Sequence, residues 1–480
     1  MSTRTRRTRG VGTAGRWALV TALLIASTAA WVASGEAERP LADRDPLEPF
    51  VNPSGVGKTV STSGPIDRDN AFFQSLGTNG RACVTCHQPS AAWSIVPSEI
   101  QSRFEATSGL DPLFRTNDGS NSPWADVTTV EARRAAYSML LSKGLIRVGM
   151  PIPAGAEFAL ESVDDPYGYA SAAELSLFRR PLPSTNISFL SGVMWDGRET
   201  FSGKSMTFNL ADQANAATMG HAQASLPLTE EQRQEIVDFE RALYTAQIYD
   251  MAAGDLTDAR GHGGPLALSK QDFFIGINDP LGLNPKKTAF TSVVFTGFSA
   301  WFDPKRERRT PREGDVDLDP RLEGRAAIAR GEKLFNHRRI DIEGVKGLND
   351  ELGVQTIAGT CGTCHDSPNV GNHSVAAPLN IGLTDASRRT PDQPLYTLRN
   401  IKTNEAVETT DPGRALVTGK WKDIGRFKGP ILRGLAARAP YFHNGSAATL
   451  TEAVQFYNTR FQIGLTDAEV EDLAAFLRAQ

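Results

Sequence analysis

The chain has 480 residues, long enough for two or three domains. With 40% apolar and 22% charged residues it has the make-up of an ordinary globular protein, which excludes a low-complexity or collagen-like chain. A formal net charge of −4 argues against nucleic acid as a partner.

Arg4, Arg6, Arg7, Arg9 and Arg16 precede a largely apolar run from Trp17 to Ala33. A positive stretch followed by an apolar one is the layout of a secretory signal, expected over residues 1–35. An uncleaved membrane anchor is the alternative, since the run nears the ~18 residues that a span needs. Cleavage would remove five arginines and take the net charge from −4 to −9. Residues 36–65, rich in Pro, Gly and Ser, read as an N-terminal arm.

Cys83-Val84-Thr85-Cys86-His87 follows, and Cys361-Gly362-Thr363-Cys364-His365 repeats the pattern; these hold all four cysteines. CxxCH is the attachment site of c-type haem. The two thiols form thioethers and the histidine supplies the proximal imidazole to iron. A zinc ribbon would need roughly 15–20 residues between its pairs, whereas Cys86 and Cys361 are 275 positions apart. Two covalently bound haems c are therefore expected, on His87 and His365. Export agrees with this, because c-type haem is attached outside the cytoplasm.

The chain also looks duplicated. A helix opens at Leu228-Thr229-Glu230-Glu231-Gln232 and is expected to run through Ile236, Phe239 and Leu243. Another opens at Leu465-Thr466-Asp467-Ala468-Glu469 and runs through Leu473 and Phe476. Each has a threonine N-cap with Gln or Glu three residues on, a capping box, and an apolar stripe at helical spacing. The expected fold is mainly α: two cytochrome c-like haem modules with long loops. The boundaries are 66–302 for the first, with an insertion, 303–321 for a linker and 322–480 for the second.

Three stretches resemble the bacterial di-haem cytochrome c peroxidase family, including its tyrosine-ligated, tryptophan-oxidising branch. They are Cys83–His87, Val193–Glu199 with its Trp195-Asp196-Gly197, and Phe427 to the C-terminus with Pro440-Tyr441-Phe442-His443. The segment from Gln88 to about Arg180 departs from the short family members. The resemblance implies a periplasmic peroxidase that reduces hydrogen peroxide with electrons relayed between two haems. Its donor would be a small cytochrome or copper protein. The alternatives are an oxidase modifying Trp or Tyr of a partner protein, and a non-enzymatic di-haem electron carrier. A homodimer is a candidate assembly.

The resemblance also implies site residues. The sixth ligand of the second haem lies fourteen residues after His443, at Tyr457. No methionine follows Met251, so a methionine from the second module is excluded; His373 is the main rival, with His337, His443, Tyr396 and Tyr441 also present. Trp195 matches the tryptophan between the haems, and Gln213 the glutamine of the first pocket. The family's acid/base glutamate falls at Gln223, which cannot move a proton, and nearby His221 can. His221 is thus the candidate acid/base group, with iron ligation or simple packing as its other readings. Calcium is a further candidate cofactor, held by the carbonyls of Arg438 and Pro440.

Overall fold

The computed structural model describes residues 45–303 and 320–480. The expected signal and most of the expected linker lie outside the described residues. The described residues from 46 onward pack as one compact unit.

Both capped helices form. Glu230–Ala242 and Asp467–Arg478 start at Thr229 and Thr466, and each closes its capping box with Gln232 or Glu469. The first stops at Ala242, one residue short of expectation, because Leu243 opens the strand Leu243–Asp250. Each helix brings a phenylalanine to its CxxCH loop. Phe239 packs on Phe72, whose ring centroid lies 6.3 Å from that of His87. Phe476 packs on Phe335, 6.2 Å from His365. The two halves therefore build the same aromatic wedge behind each histidine.

The expectation of a mainly helical chain needs correction. Alongside the helices, eleven strands form four antiparallel sheets among the described residues. The strand signal was hidden for physical reasons. Gly55–Ser61 does alternate, but its inward positions are Gly55, Gly57 and Thr59, so no apolar period appears. Leu175–Arg179 is buried at every position and has no alternation to read. The expected N-terminal arm is corrected as well. Its Phe50–Asn52 and Gly55–Ser61 are strands, and the second pairs along Leu243–Asp250.

The segment from Gln88 to Arg180 is ordered. It holds the helices Pro97–Thr107, Val130–Ala136 and Ser138–Lys143, and the strands Ile146–Met150, Phe158–Asp164 and Leu175–Arg179. Phe158–Asp164 pairs with Leu395–Asn400, far along the chain, and Ala406–Thr409 completes that sheet. The segment thus ties the first half of the sequence to the second by main-chain hydrogen bonds. No helix among the described residues is long and apolar enough to cross a membrane.

Candidate functional site

Both CxxCH motifs open onto one internal cavity of ≈ 420 Å³. Each motif begins as a single 3-10 turn, Cys83–Thr85 and Cys361–Thr363. His87 Nδ1 bonds the carbonyl of Trp93 at 3.0 Å, and His365 Nδ1 that of Gly371 at 2.7 Å. Both partners lie six residues past their histidine. A carbonyl only accepts, so each Nδ1 carries the proton and each Nε2 keeps its lone pair. Burial drives His87 down to about 4 and lowers His365, so both rings stay neutral. Burial likewise raises all four thiols, with Cys83, Cys361 and Cys364 pushed up to about 12. These are protonated thiols beside neutral imidazoles.

The rest of the lining tests the fit of haem. Arg180, Lys428 and Arg438 face the cavity, and burial lowers Lys428 to about 8 and Arg438 to about 10. None of the three forms an ion pair with a carboxylate among the described residues. His443 is buried in the same wall, stacked on Phe427 at 4.0 Å, and neither ring nitrogen has a partner. Arg180 is buried and Lys428 and Arg438 are half-buried, and cations held from bulk water without an anion are costly. A group that is apolar over its body and carries carboxylates would relieve that cost, and haem is such a group. The residues present fit it.

The side chains expected around the first motif converge. Gln213, Ala214 and Ala217, on the helix Met206–Gly220, face the cavity, as does His221, which caps that helix's C-terminus. His221 is not free to turn. Its Nδ1 meets Asp118 Oδ2 at 2.5 Å, and its carbonyl accepts from Asn79 and Arg81. Arg81 also bonds the other oxygen of Asp118. Burial opposes ionisation of Asp118, but the hydrogen bond with His221 and the Arg81 charge outweigh it and hold its carboxyl below the usual range. Asp118, 103 positions from His221, carries no motif and was not found by sequence reasoning. Gln223 points elsewhere: its side chain meets Asn79, and it does not line the cavity.

Around the second motif, Tyr457 lies on the helix Leu450–Arg460 and faces the cavity, its ring centroid 6.3 Å from that of His365. Burial raises its phenol well above the ordinary tyrosine value. Tyr441 and His443 share the lining, whereas Tyr396, His337 and His373 do not. His373 is buried and bonds Asp366 instead, so the main rival ligand stands outside the cavity.

Trp195 sits where the two halves meet. Its indole Nε1 donates to the Arg180 carbonyl at 2.8 Å, its carbonyl accepts from Lys428 N–H at 2.8 Å, and its ring centroid is 6.1 Å from that of His443. The next residue, Asp196, is fully buried and paired with Arg179, which also takes Asp411 in a two-pronged contact.

One of the two carbonyls expected to hold calcium already has a partner. The Arg438 carbonyl accepts from Arg180 Nη2 at 3.1 Å. The same guanidinium reaches the carbonyls of Lys143 and Ile95.

No protein-family model matches the chain. Among curated proteins, it is 34% identical over 247 residues to the cytochrome c551 peroxidase of Nitrosomonas europaea, covering 48% of this chain and 60% of that one. It is 32% identical over 139 residues to the cytochrome-c peroxidase IdrP1 of Denitromonas iodatirespirans, covering 25% and 36%. It is 33% identical over 121 residues to the cytochrome c peroxidase Ccp of Escherichia coli, covering 25% and 22%. Each match spans less than two thirds of the relative's own length. A solved structure of a MauG-like protein associated with microbial copper homeostasis overlaps 90% of this chain and 92% of its own, at 16% identity and a TM-score of 0.38, too loosely to carry an argument. The likeness to the bacterial di-haem cytochrome c peroxidases, first drawn from the motifs, is therefore supported by several relatives of that name.

Proposed function

We propose that this chain is an exported di-haem c-type peroxidase, acting in the periplasm on hydrogen peroxide. The observation that carries this reading is the single cavity: it joins both CxxCH motifs, with Trp195 between the halves and the His221–Asp118 pair in its wall. Haem bound there would supply one-electron redox chemistry. The protein's own part is division of labour. His87 and His365 each offer one Nε2 to iron. At the first site His221, held by Asp118, keeps Nε2 available to take a proton from peroxide and return it to the leaving oxygen. At the second, Tyr457 offers a phenol oxygen, a hard donor that favours oxidised iron. Trp195 offers the electron route, and Gln213 a hydrogen-bonding group near the substrate. The reductant would be a small cytochrome or copper protein. Tyr457 also favours the second reading, in which the oxidising equivalent passes to Trp or Tyr of a partner protein.

The load tests the reading first. Exported with haem-attachment machinery, the mature protein should weigh the polypeptide plus two haems in an intact-mass spectrum. One haem, or none, would overturn the reading. The oxidised protein should also show one high-spin haem by EPR; two low-spin signals would favour an electron carrier.

Tyr457 gives a second expectation. Tyr457→Phe should open the second iron, converting its low-spin absorption to high-spin. Tyr457→Met should give a methionine-ligated spectrum and a higher reduction potential. A low-spin signal that survives Tyr457→Phe would remove Tyr457 as ligand and turn attention to His443 or Tyr441, which share the cavity wall.

A further inference from the structure

A second cluster lies behind the CxxCH loop of the second half, outside the cavity. Asp279, Asp366 and His373 each offer a donor atom within 4.8 Å of the other two. All three are buried, at 3%, 0% and 3% exposure, and none of them lines the cavity. We propose that they bind one divalent first-row transition-metal ion, of the zinc or manganese kind, which pins the loop around Asp279 to the loop that follows His365.

Unmet bonding capacity carries the proposal. Asp279 Oδ2 accepts from Leu283 N–H at 2.7 Å, but Oδ1 has no partner. His373 Nδ1 meets Asp366 Oδ2 at 3.0 Å, but Nε2 has none. Ser374 Oγ and Asn372 Oδ1, in the same loop, are buried and unpartnered too. Buried polar atoms are nearly always satisfied, so Asp279 Oδ1 and His373 Nε2, within one triad, ask for a missing partner.

Charge points the same way. Neither carboxylate pairs with an Arg or Lys; the only ion-pair contact of the two among the described residues is that between Asp366 and His373. Two buried carboxylates with no cation are expensive. A doubly charged ion balances both and takes the imidazole as a neutral ligand. A hydroxyl or water would satisfy hydrogen bonds but leave the charge. The donor set also selects among ions. Calcium prefers six to eight oxygens and magnesium keeps its waters, whereas mixed imidazole and carboxylate donors suit zinc, manganese or iron(II).

The two loops are already in register for such a clamp. Asn278, beside Asp279, donates to the Asp366 carbonyl at 3.0 Å, and Gly276 N–H to the Ser374 carbonyl at 2.9 Å. The ion would complete a connection that the main chain has begun.

The test uses the haem-loaded full-length protein, stripped with a chelator, incubated separately with Zn2+ and Mn2+, desalted, and assayed for metal by mass spectrometry. We expect one equivalent of zinc or manganese beyond haem iron. Asp279→Asn, which keeps the shape and removes the charge, should drop that metal to background with the haem spectrum unchanged. Wild-type protein that retains neither ion would overturn the proposal, and so would an Asp279→Asn protein that retains as much as wild type. Should the variant fail to assemble, the wild type decides. A thermal midpoint that rises with one equivalent of Zn2+ or Mn2+ and not with Ca2+ supports the site; no rise with either ion refutes it.

Discussion

His221→Ala is expected to slow peroxide consumption by roughly 10²–10⁴-fold, the usual worth of a positioned general base, while both haems stay attached. The size follows from how the ring is held. Asp118 fixes Nδ1, Asn79 and Arg81 fix the carbonyl, and only Nε2 is left for proton transfer. Asp118→Asn should lower the same rate without touching the substrate, because an amide can present the wrong hydrogen-bonding partner to Nδ1. As a positioning residue it should also move the pH profile of kcat, which a merely structural role would not. If His221 instead binds iron, His221→Ala will turn a low-spin haem high-spin and the rate will not fall. A variant unchanged in both rate and spin state leaves proton transfer without this group; Glu199 and Asp212, the acids between Trp195 and His221 that come after Asp196, do not line the cavity.

Arg179→Ala should be the most destabilising change away from the haem motifs, costing on the order of 3–5 kcal/mol, as expected when one partner of a buried ion pair is removed. Arg179 is 2% exposed and bonds Asp196 at 2.6 Å and Asp411 at 2.7 and 2.9 Å. Its loss would leave Asp411 without a cation and Asp196, next to Trp195, with Arg198 alone. Acid should expose the same contact in the wild type. Burial raises Asp196, but Arg179 and Arg198 outweigh that and bring it down to about 2. Its folded value thus lies below the ordinary aspartate value of about 3.9. The stabilisation is whole above about pH 4 and is lost as the pH falls toward 2. Unfolding in denaturant at several pH values reads both effects; an Arg179→Ala protein as stable as wild type at neutral pH would refute them.

What was legible in the sequence was whatever a short local pattern encodes. The CxxCH motifs and the two capping boxes are contiguous signals, and the boxes form as read; Trp195 and Tyr457, singled out by the resemblance, line the same cavity as both motifs. What was illegible needed partners from afar. Asp118 meets His221 across 103 positions, in a segment with no motif to flag it. The strand Gly55–Ser61 presents glycines inward, so its period carries no hydrophobicity. Likewise, nothing near Arg438 in sequence says that Arg180 will donate to its carbonyl. His373 was noticed, but as an iron ligand; only its buried contact with Asp366 shows that it faces another way.

The strand Phe158–Asp164, hydrogen-bonded along Leu395–Asn400, bears on how electrons can travel. Tunnelling rates fall steeply with separation, so a hinge between two redox centres makes transfer depend on how often the hinge closes. A continuous sheet across the halves removes that dependence: opening would have to break a run of main-chain bonds at once. On the proposed reading, the path through Trp195 would then be of fixed length, and its rate would not wait on the hinge. Control of turnover in such a molecule would rest with ligand exchange at iron and with docking of the donor, not with domain motion.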